Sequence, residues 1–221
     1  MKNIFTTVAL STLLSTVVSN NAFAVEGLSG NVAATSNYLW RGLEQTGGDA
    51  AVSGGIDYAS NSGFYVGTWA STANWADGMT YELDLYGGFS NAINDDLSYD
   101  VGFIYFAYPD ETSGDANFSE IYGSISYKSL TVGLAVLTSG EGADAGDTLY
   151  ANADYAIDLG NDADITLHIG SYSGDWLAED SIDYSVSLNK AGFTFGASAT
   201  DLDGAAGDVK VYVAYSLDID L

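Results

Sequence analysis

Residues 208–221 read DVKVYVAYSLDIDL, and this stretch decides the fold. From Val209 to Leu221 every second residue is apolar, while the positions between them, from Lys210 to Asp220, are mostly polar. An α-helix would repeat its apolar face about every 3.6 residues, whereas a β-strand turns successive side chains to opposite faces. The stretch therefore predicts a β-strand with one apolar face and one polar face.

The same alternation recurs along the chain and predicts about twelve strands. They lie near residues 28–41, 50–59, 63–71, 79–90, 97–108, 118–127, 130–138, 147–159, 163–173, 181–189, 192–201 and 208–221. Long, Gly-rich, mostly acidic connections such as 42–49 and 109–117 alternate with short turns such as 128–129 and 190–191. This sorting is typical of outer-membrane barrels. We predict an all-β fold, a transmembrane antiparallel up-and-down β-barrel, with a soluble β-sandwich as the alternative.

Residues 1–24 have the features of a secretory signal peptide. Lys2 supplies a positive start, residues 4–18 an apolar stretch, and Ala22-Phe23-Ala24 a small-residue cleavage motif. We therefore expect export by the Sec pathway, with residues 25–221 forming a single outer-membrane barrel domain. After residue 24 no run approaches ~20 consecutive apolar residues, which argues against a membrane-spanning helix.

The chain is strongly acidic, with 30 Asp and Glu residues against 5 Lys and Arg and a formal net charge of −25. This balance argues against a nucleic-acid partner, because phosphates favour a basic surface. The chain has no cysteine, so no disulfide scaffold can hold it. The expected partners are outer-membrane lipid and small solutes or cations. No cofactor or metal site is predicted, and the oligomeric state stays open.

If the apolar strand faces meet lipid, the alternate faces line the lumen. The charged residues predicted there are Arg41, Asp57, Glu82, Asp84, Asp100, Glu120, Asp154, His168, Asp183, Lys210 and Asp218. So many carboxylates in a dry core would be unfavourable, because burial and mutual repulsion both disfavour the charged form. A water-filled passage avoids this problem, and rings of Asp and Glu in it would favour cations.

The alternative to an open passage is a plug built around Arg41, the only arginine of the chain. Its planar guanidinium could bridge two carboxylates among Asp57, Glu82, Asp84 and Glu120. The excess of acidic over basic residues favours the open passage.

His168 is the only histidine and is predicted to lie beside Asp154 and Asp183 on neighbouring strands. A catalytic interpretation would make it the base that activates a serine in a barrel lipid hydrolase. No paired serine motif or second histidine accompanies it in the sequence. We therefore expect a passive hydrogen-bonding role, no catalytic residues and no enzymatic activity.

Several segments between residues 30 and 125 also follow a known pattern. They are SNYLWRG (36–42), Gln45-Thr46, GGIDY (54–58), SGFYVGTW (62–69), ELDLYGG (82–88), YDVG (99–102), residues 105–109 and EIY (120–122). In this order they resemble the Gcw_chp family, also called TorF-like porins, which are exported bacterial proteins of poorly defined function. The resemblance implies an outer-membrane barrel with a porin-like role and supplies no substrate.

These observations together predict an outer-membrane porin that gives passive diffusion of small, preferentially cationic or neutral solutes through an acidic lumen. A plugged barrel with a structural or surface-interaction role is the main alternative. A barrel lipid hydrolase and a soluble periplasmic β-protein are less favoured.

Overall fold

A computed structural model describes residues 25–112 and 114–221, so the predicted signal peptide lies outside the described residues. The strands are β1 (Leu28–Thr35), β2 (Leu39–Trp40), β3 (Leu43–Glu44), β4 (Ala51–Ala59), β5 (Phe64–Thr72), β6 (Tyr81–Asn94), β7 (Leu97–Ala107), β8 (Phe118–Tyr127), β9 (Leu130–Gly140), β10 (Thr148–Gly160), β11 (Ala163–Gly174), β12 (Ser181–Lys190), β13 (Phe193–Thr200) and β14 (Lys210–Asp220). One 3₁₀ turn, Gly204–Ala206, precedes β14.

All strands except β2 and β3 form one closed barrel. Each barrel strand pairs antiparallel with the next one along the chain, and β1 closes the ring by pairing with both β4 and β14. At this seam Val32 lies opposite Leu217. The prediction of an all-β, antiparallel up-and-down barrel of about twelve strands is confirmed.

The two faces of each strand differ as the alternation predicts. In β14 the side chains of Val211, Val213 and Leu217 are exposed, whereas Lys210 and Ser216 are buried. Exposed apolar side chains continue around the barrel, among them Ile56, Val66, Leu85, Ile121, Leu134 and Leu167. Because the barrel is closed, the other face of every strand points to the interior. The molecule therefore has an apolar outer wall. Its interior is lined by polar and charged side chains and, toward the long loops, by a buried apolar cluster that includes Ile104, Phe106 and Leu137.

The long connections gather at one end of the barrel. They span residues 36–50, 73–80, 108–117, 141–147, 175–180 and 201–209. At the opposite end the strands are joined by short turns such as 128–129, and the Val25 N–H donates to the Leu221 carbonyl. We call these the long-loop end and the short-turn end. Throughout the described parts of the chain, helices with the length and apolar character to cross a membrane are absent.

The first predicted strand, residues 28–41, is wrong in its second half. The barrel strand β1 ends at Thr35, and the chain reverses at Arg41 and Gly42 to form the small β2–β3 hairpin. Both residues have positive φ angles, 49° and 76°, as the two-residue turns that match strand twist require. The strand β6 also continues to Asn94, past its predicted end at residue 90.

Candidate functional site

The first long connection, residues 36–50, folds into the barrel interior and carries the β2–β3 hairpin. Within it the Gln45 N–H donates to the Tyr38 carbonyl at 2.8 Å, and Arg41 and Gly42 at the tip are buried. A Cβ placed on Gly42 would lie 2.5 Å from Thr200 Cγ2 and 2.9 Å from Asp183 Cβ. The hairpin tip therefore packs directly against β12 and β13 on the barrel wall.

The guanidinium of Arg41 is buried inside the barrel, where it contacts one carboxylate and three aromatic rings. Its Nη1 donates to Glu120 Oε1 at 2.9 Å and its Nη2 to Glu120 Oε2 at 2.7 Å, and the two side chains are only 6% and 2% exposed. Its central carbon lies 4.1 Å from the ring centroid of Trp40, 4.2 Å from that of Tyr150 and 4.5 Å from that of Tyr172. We call Glu120, Tyr150 and Tyr172 the guanidinium box.

The backbone of Arg41 is in the left-handed region, which is uncommon for a bulky residue. Such a conformation costs roughly 1–2 kcal/mol for a residue with a Cβ, and glycine, asparagine or aspartate would normally occupy this turn position. Strain of this kind persists where surrounding contacts hold it. Here the bidentate pair with Glu120 and the ring contacts supply that restraint.

Aromatic side chains fix the rest of the hairpin. Trp40 packs edge-on against Phe106, Phe118 and Tyr172, with ring centroids 6.0, 5.8 and 5.7 Å away. The Tyr38 hydroxyl donates to Glu82 Oε1 at 2.8 Å. Burial, together with the negative charge of Glu82, raises the pKa of the Tyr38 phenol well above its ordinary value. Tyr38 therefore stays neutral and acts as a donor.

A second cluster joins the guanidinium box through Tyr150. His168 Nδ1 lies 2.7 Å from Asp154 Oδ1, and its Nε2 lies 2.9 Å from Asp183 Oδ1. The Tyr150 hydroxyl contacts His168 Nε2 at 3.0 Å and donates to Asp183 at 3.1 Å. Ser185 lies opposite His168 in the β11–β12 register, but both ring nitrogens face carboxylates. This arrangement joins His168, Asp154, Asp183 and Tyr150 in one hydrogen-bonded network.

A further layer of tyrosines and carboxylates lies closer to the short-turn end of the barrel. The Tyr86 hydroxyl and, at 3.2 Å, the Asn31 amide both donate to Asp57. The Tyr65 hydroxyl donates to Asp100 at 2.8 Å. These bonds place Asp57 and Asp100 on the interior face of β4 and β7.

The remaining predicted residues also lie on interior faces. Glu82 and Asp84 on β6 are buried, and Asp84 Oδ1 has no hydrogen-bond partner among the described residues. Asp218 on β14 is half-buried. Lys210 is buried at the start of β14, and its Nζ donates to the carbonyls of Ala205, Ala206 and Asp208 and so holds the last long loop.

The sequence interpretation missed the hairpin and the aromatic side chains around Arg41. Trp40, Tyr150 and Tyr172 each look like ordinary strand residues, since tyrosine and tryptophan favour strands. The available signal was the Arg41-Gly42 pair at the end of the predicted strand 28–41, because a glycine there can take the positive φ angle that a tight two-residue turn requires. In the ranges that the structure covers, no three His, Cys, Asp or Glu side chains converge as a metal site.

Comparisons with known proteins agree with this architecture. Residues 20–217 match the family described as "Bacterial protein of unknown function (Gcw_chp)". The solved KdgM porin is similar at a TM-score of 0.51 and 14% identity, covering 87% of this chain and 99% of that one. Its complex with disordered oligogalacturonate gives the same score and identity over 88% and 98%. A chain from a study of in-meso crystallization of membrane proteins has a TM-score of 0.57 and 10% identity, over 88% and 84%. No curated protein matches the chain.

Proposed function

This chain belongs to the Gcw_chp family of bacterial proteins of unknown function, and from its barrel we propose that it is an outer-membrane porin. In this proposal residues 1–24 direct export and are removed, and residues 25–221 form one barrel domain in contact with outer-membrane lipid. The barrel allows passive diffusion of small, preferentially cationic or neutral solutes. Nucleic acid is not a partner, given the net charge of −25.

The observation that carries the proposal is the contrast between the two faces of the closed barrel. Its outer wall exposes apolar side chains from every region of the sheet, Val211 to 76% and Leu134 to 54%. Apolar area of this extent would be a liability in water and is stable in hydrocarbon. A closed barrel also pairs all strand backbone groups, which a bilayer requires.

The charge of the interior supports preference for cations. Many carboxylates lie on interior faces, among them Asp57, Glu82, Asp84, Asp100, Glu120, Asp154, Asp183 and Asp218. Against them stand Arg41, which is paired with Glu120, and Lys210, which is bound to loop carbonyls. Acidic rings lower the barrier for positive ions and raise it for anions. A polyanion such as the oligogalacturonate found with KdgM would meet the same charge sign here.

Planar bilayers test this proposal directly. Purified, folded protein under a KCl gradient should give conductance with a cation-selective reversal potential. Asp154→Asn and Asp218→Asn, at two partly exposed interior positions, should each shift that potential toward zero, whereas Glu179→Gln in an exposed loop should leave it unchanged. Anion selectivity in the wild type would contradict the proposal, and so would silent bilayers that contain folded protein.

A second candidate is a barrel closed by its first loop, with a structural or surface-interaction role. The observation that favours it is the hairpin packed across the interior and fixed by the Arg41–Glu120 pair. Silent bilayers with correctly folded wild-type protein would support this role. An enzymatic role has no such support, since both ring nitrogens of His168 bind carboxylates. Lipid hydrolysis that is undiminished in His168→Ala would exclude His168 as its catalytic base.

A further inference from the structure

The guanidinium box has the chemistry of a ligand site, although the group inside it belongs to the same chain. A carboxylate whose two oxygens accept two parallel N–H bonds is the specific partner of a planar guanidinium. Aromatic rings beside the guanidinium add cation–π attraction. Arg41 receives all of these contacts, from Glu120, Tyr150 and Tyr172.

The walls of the box and its occupant belong to different parts of the fold. Glu120, Tyr150 and Tyr172 lie on the barrel strands β8, β10 and β11, close to the long-loop end. Their backbone positions are set by strand pairing in which no hairpin residue takes part. Arg41, in contrast, sits at the tip of a two-stranded hairpin in a left-handed backbone conformation. If the hairpin withdraws, the box therefore remains.

An empty box would be unfavourable, because the Glu120 carboxylate would stay buried without a counter-charge. An incoming solute with the same charge and shape as the Arg41 head group removes this problem. The exchange is neutral in charge, since one guanidinium replaces another on the same carboxylate. A sodium or potassium ion would satisfy the charge but not the fork geometry or the ring faces.

We propose that the guanidinium box is the recognition site for solutes that carry a guanidinium group, and that Arg41 is its internal competitor. The inference rests on the proposed porin function and specifies its solute class. A solute guanidinium takes the place of Arg41 on Glu120 as the hairpin tip withdraws. The box lies where the interior meets the long loops, so a solute entering from that end encounters it early.

The test uses planar bilayers in KCl with methylguanidinium as the probe. In Arg41→Ala the box is empty, so methylguanidinium should block the potassium current at a concentration ~10-fold or more below that needed for wild type, where only the fraction of barrels with the hairpin withdrawn can bind. Methylammonium, which lacks the fork, should block more weakly than methylguanidinium. Methylurea, which has the shape without the charge, should have no effect.

A double variant checks the contact itself. Adding Glu120→Gln to Arg41→Ala should raise the half-blocking concentration ~10–100-fold, the equivalent of one lost charge-assisted hydrogen-bonded pair. Lys128→Ala is the control for the lost positive charge, because Lys128 is exposed at the short-turn end. Equal block of Arg41→Ala and wild type would overturn the inference. Equal block by methylurea and methylguanidinium, or no effect of Glu120→Gln, would do so as well.

Tryptophan fluorescence separates this inference from the porin proposal. Trp40 lies against the box, so methylguanidinium binding to Arg41→Ala in detergent should change its emission even without a current. Folded but silent protein that still binds would reject the porin and keep the box. If the protein conducts but methylguanidinium neither binds to it nor blocks its current, the guanidinium-box inference is rejected and the porin proposal stands. Should Arg41→Ala fail to fold, Arg41→Lys must show intermediate block, and wild-type behaviour of that variant would overturn the inference.

Discussion

Glu120→Gln keeps the size of the side chain and removes its charge, so it isolates the ion pair that holds the hairpin. In the wild type both oxygens of Glu120 accept from Arg41, at 2.9 and 2.7 Å, and both side chains are almost fully buried. A glutamine keeps one acceptor but points its amide N–H groups at the guanidinium. Breaking one side of a buried pair costs about 3–5 kcal/mol. Because the hairpin can withdraw and expose Arg41 to water, we expect about 3 kcal/mol, the lower end of that range.

Arg41→Ala should cost more, because it also removes the cation–π contacts with Tyr150 and Tyr172, which contribute roughly 0.5–2 kcal/mol in addition. In the double variant no buried guanidinium remains, so the glutamine adds little further loss. The expected coupling energy between the two sites is therefore about 3 kcal/mol.

The assay is urea unfolding in lipid vesicles, followed by the fluorescence of the four tryptophans, which include Trp40 in the hairpin and Trp176 in a long loop. Trp176 donates to the Glu141 carbonyl in a long loop and reports on that end of the barrel. Lys128→Ala and Glu179→Gln serve as charge-matched controls and should change the unfolding free energy little, since both side chains are exposed. A double variant whose loss equals the sum of the two single losses would refute the coupling and the importance of the pair.

Three further predictions concern the wall, the interior and a loop. Leu134→Arg on the outer wall should destabilise the barrel in vesicles by about 2–4 kcal/mol, whereas Leu134→Met should not, as urea unfolding would show. Gly67→Ala should cost about 1–3 kcal/mol because its Cβ would lie 2.5 Å from a tyrosine ring, while Gly123→Ala, with 3.4 Å to its nearest neighbour, should unfold like wild type. The Thr80 hydroxyl holds the pKa of Asp110 below its ordinary value. This contact therefore stabilises the folded loop at any pH above the unfolded-state pKa of Asp110, and the stabilisation is lost as the pH falls through the lower folded-state pKa. Limited proteolysis should show the loop loosening in acid, and Thr80→Val should move the change to higher pH.

The strands could be predicted from the sequence because their outer faces share one environment. In β12, for example, Ile182, Tyr184 and Val186 are all exposed on the same wall, so apolar residues recur at every second position. The same argument finds nearly all of β14. A lipid-facing wall can therefore be predicted without knowing which strands are neighbours.

The hairpin could not be predicted in the same way, because its contacts are remote in sequence. Residues 36–41 alternate well enough to continue β1, but the strand ends at Thr35 and the chain then reverses at Arg41 and Gly42. The groups that hold Arg41 come from β8, β10 and β11, so locating them requires the register of the whole sheet. The interior tyrosines pose the same difficulty. Tyr86 lies over Gly67 of the adjacent strand, a match that neither local segment reveals.

The seam between β1 and β14 bears on how the barrel can be assembled. Ser29 pairs with Asp220 there, so the ring is completed only by contacts between segments far apart along the chain. A chain stopped before β14 would present two unpaired strand edges, each with free N–H and C=O groups that hydrocarbon cannot satisfy. Stable insertion should thus require all twelve barrel strands, because a chain without β14 would expose unpaired backbone groups to hydrocarbon.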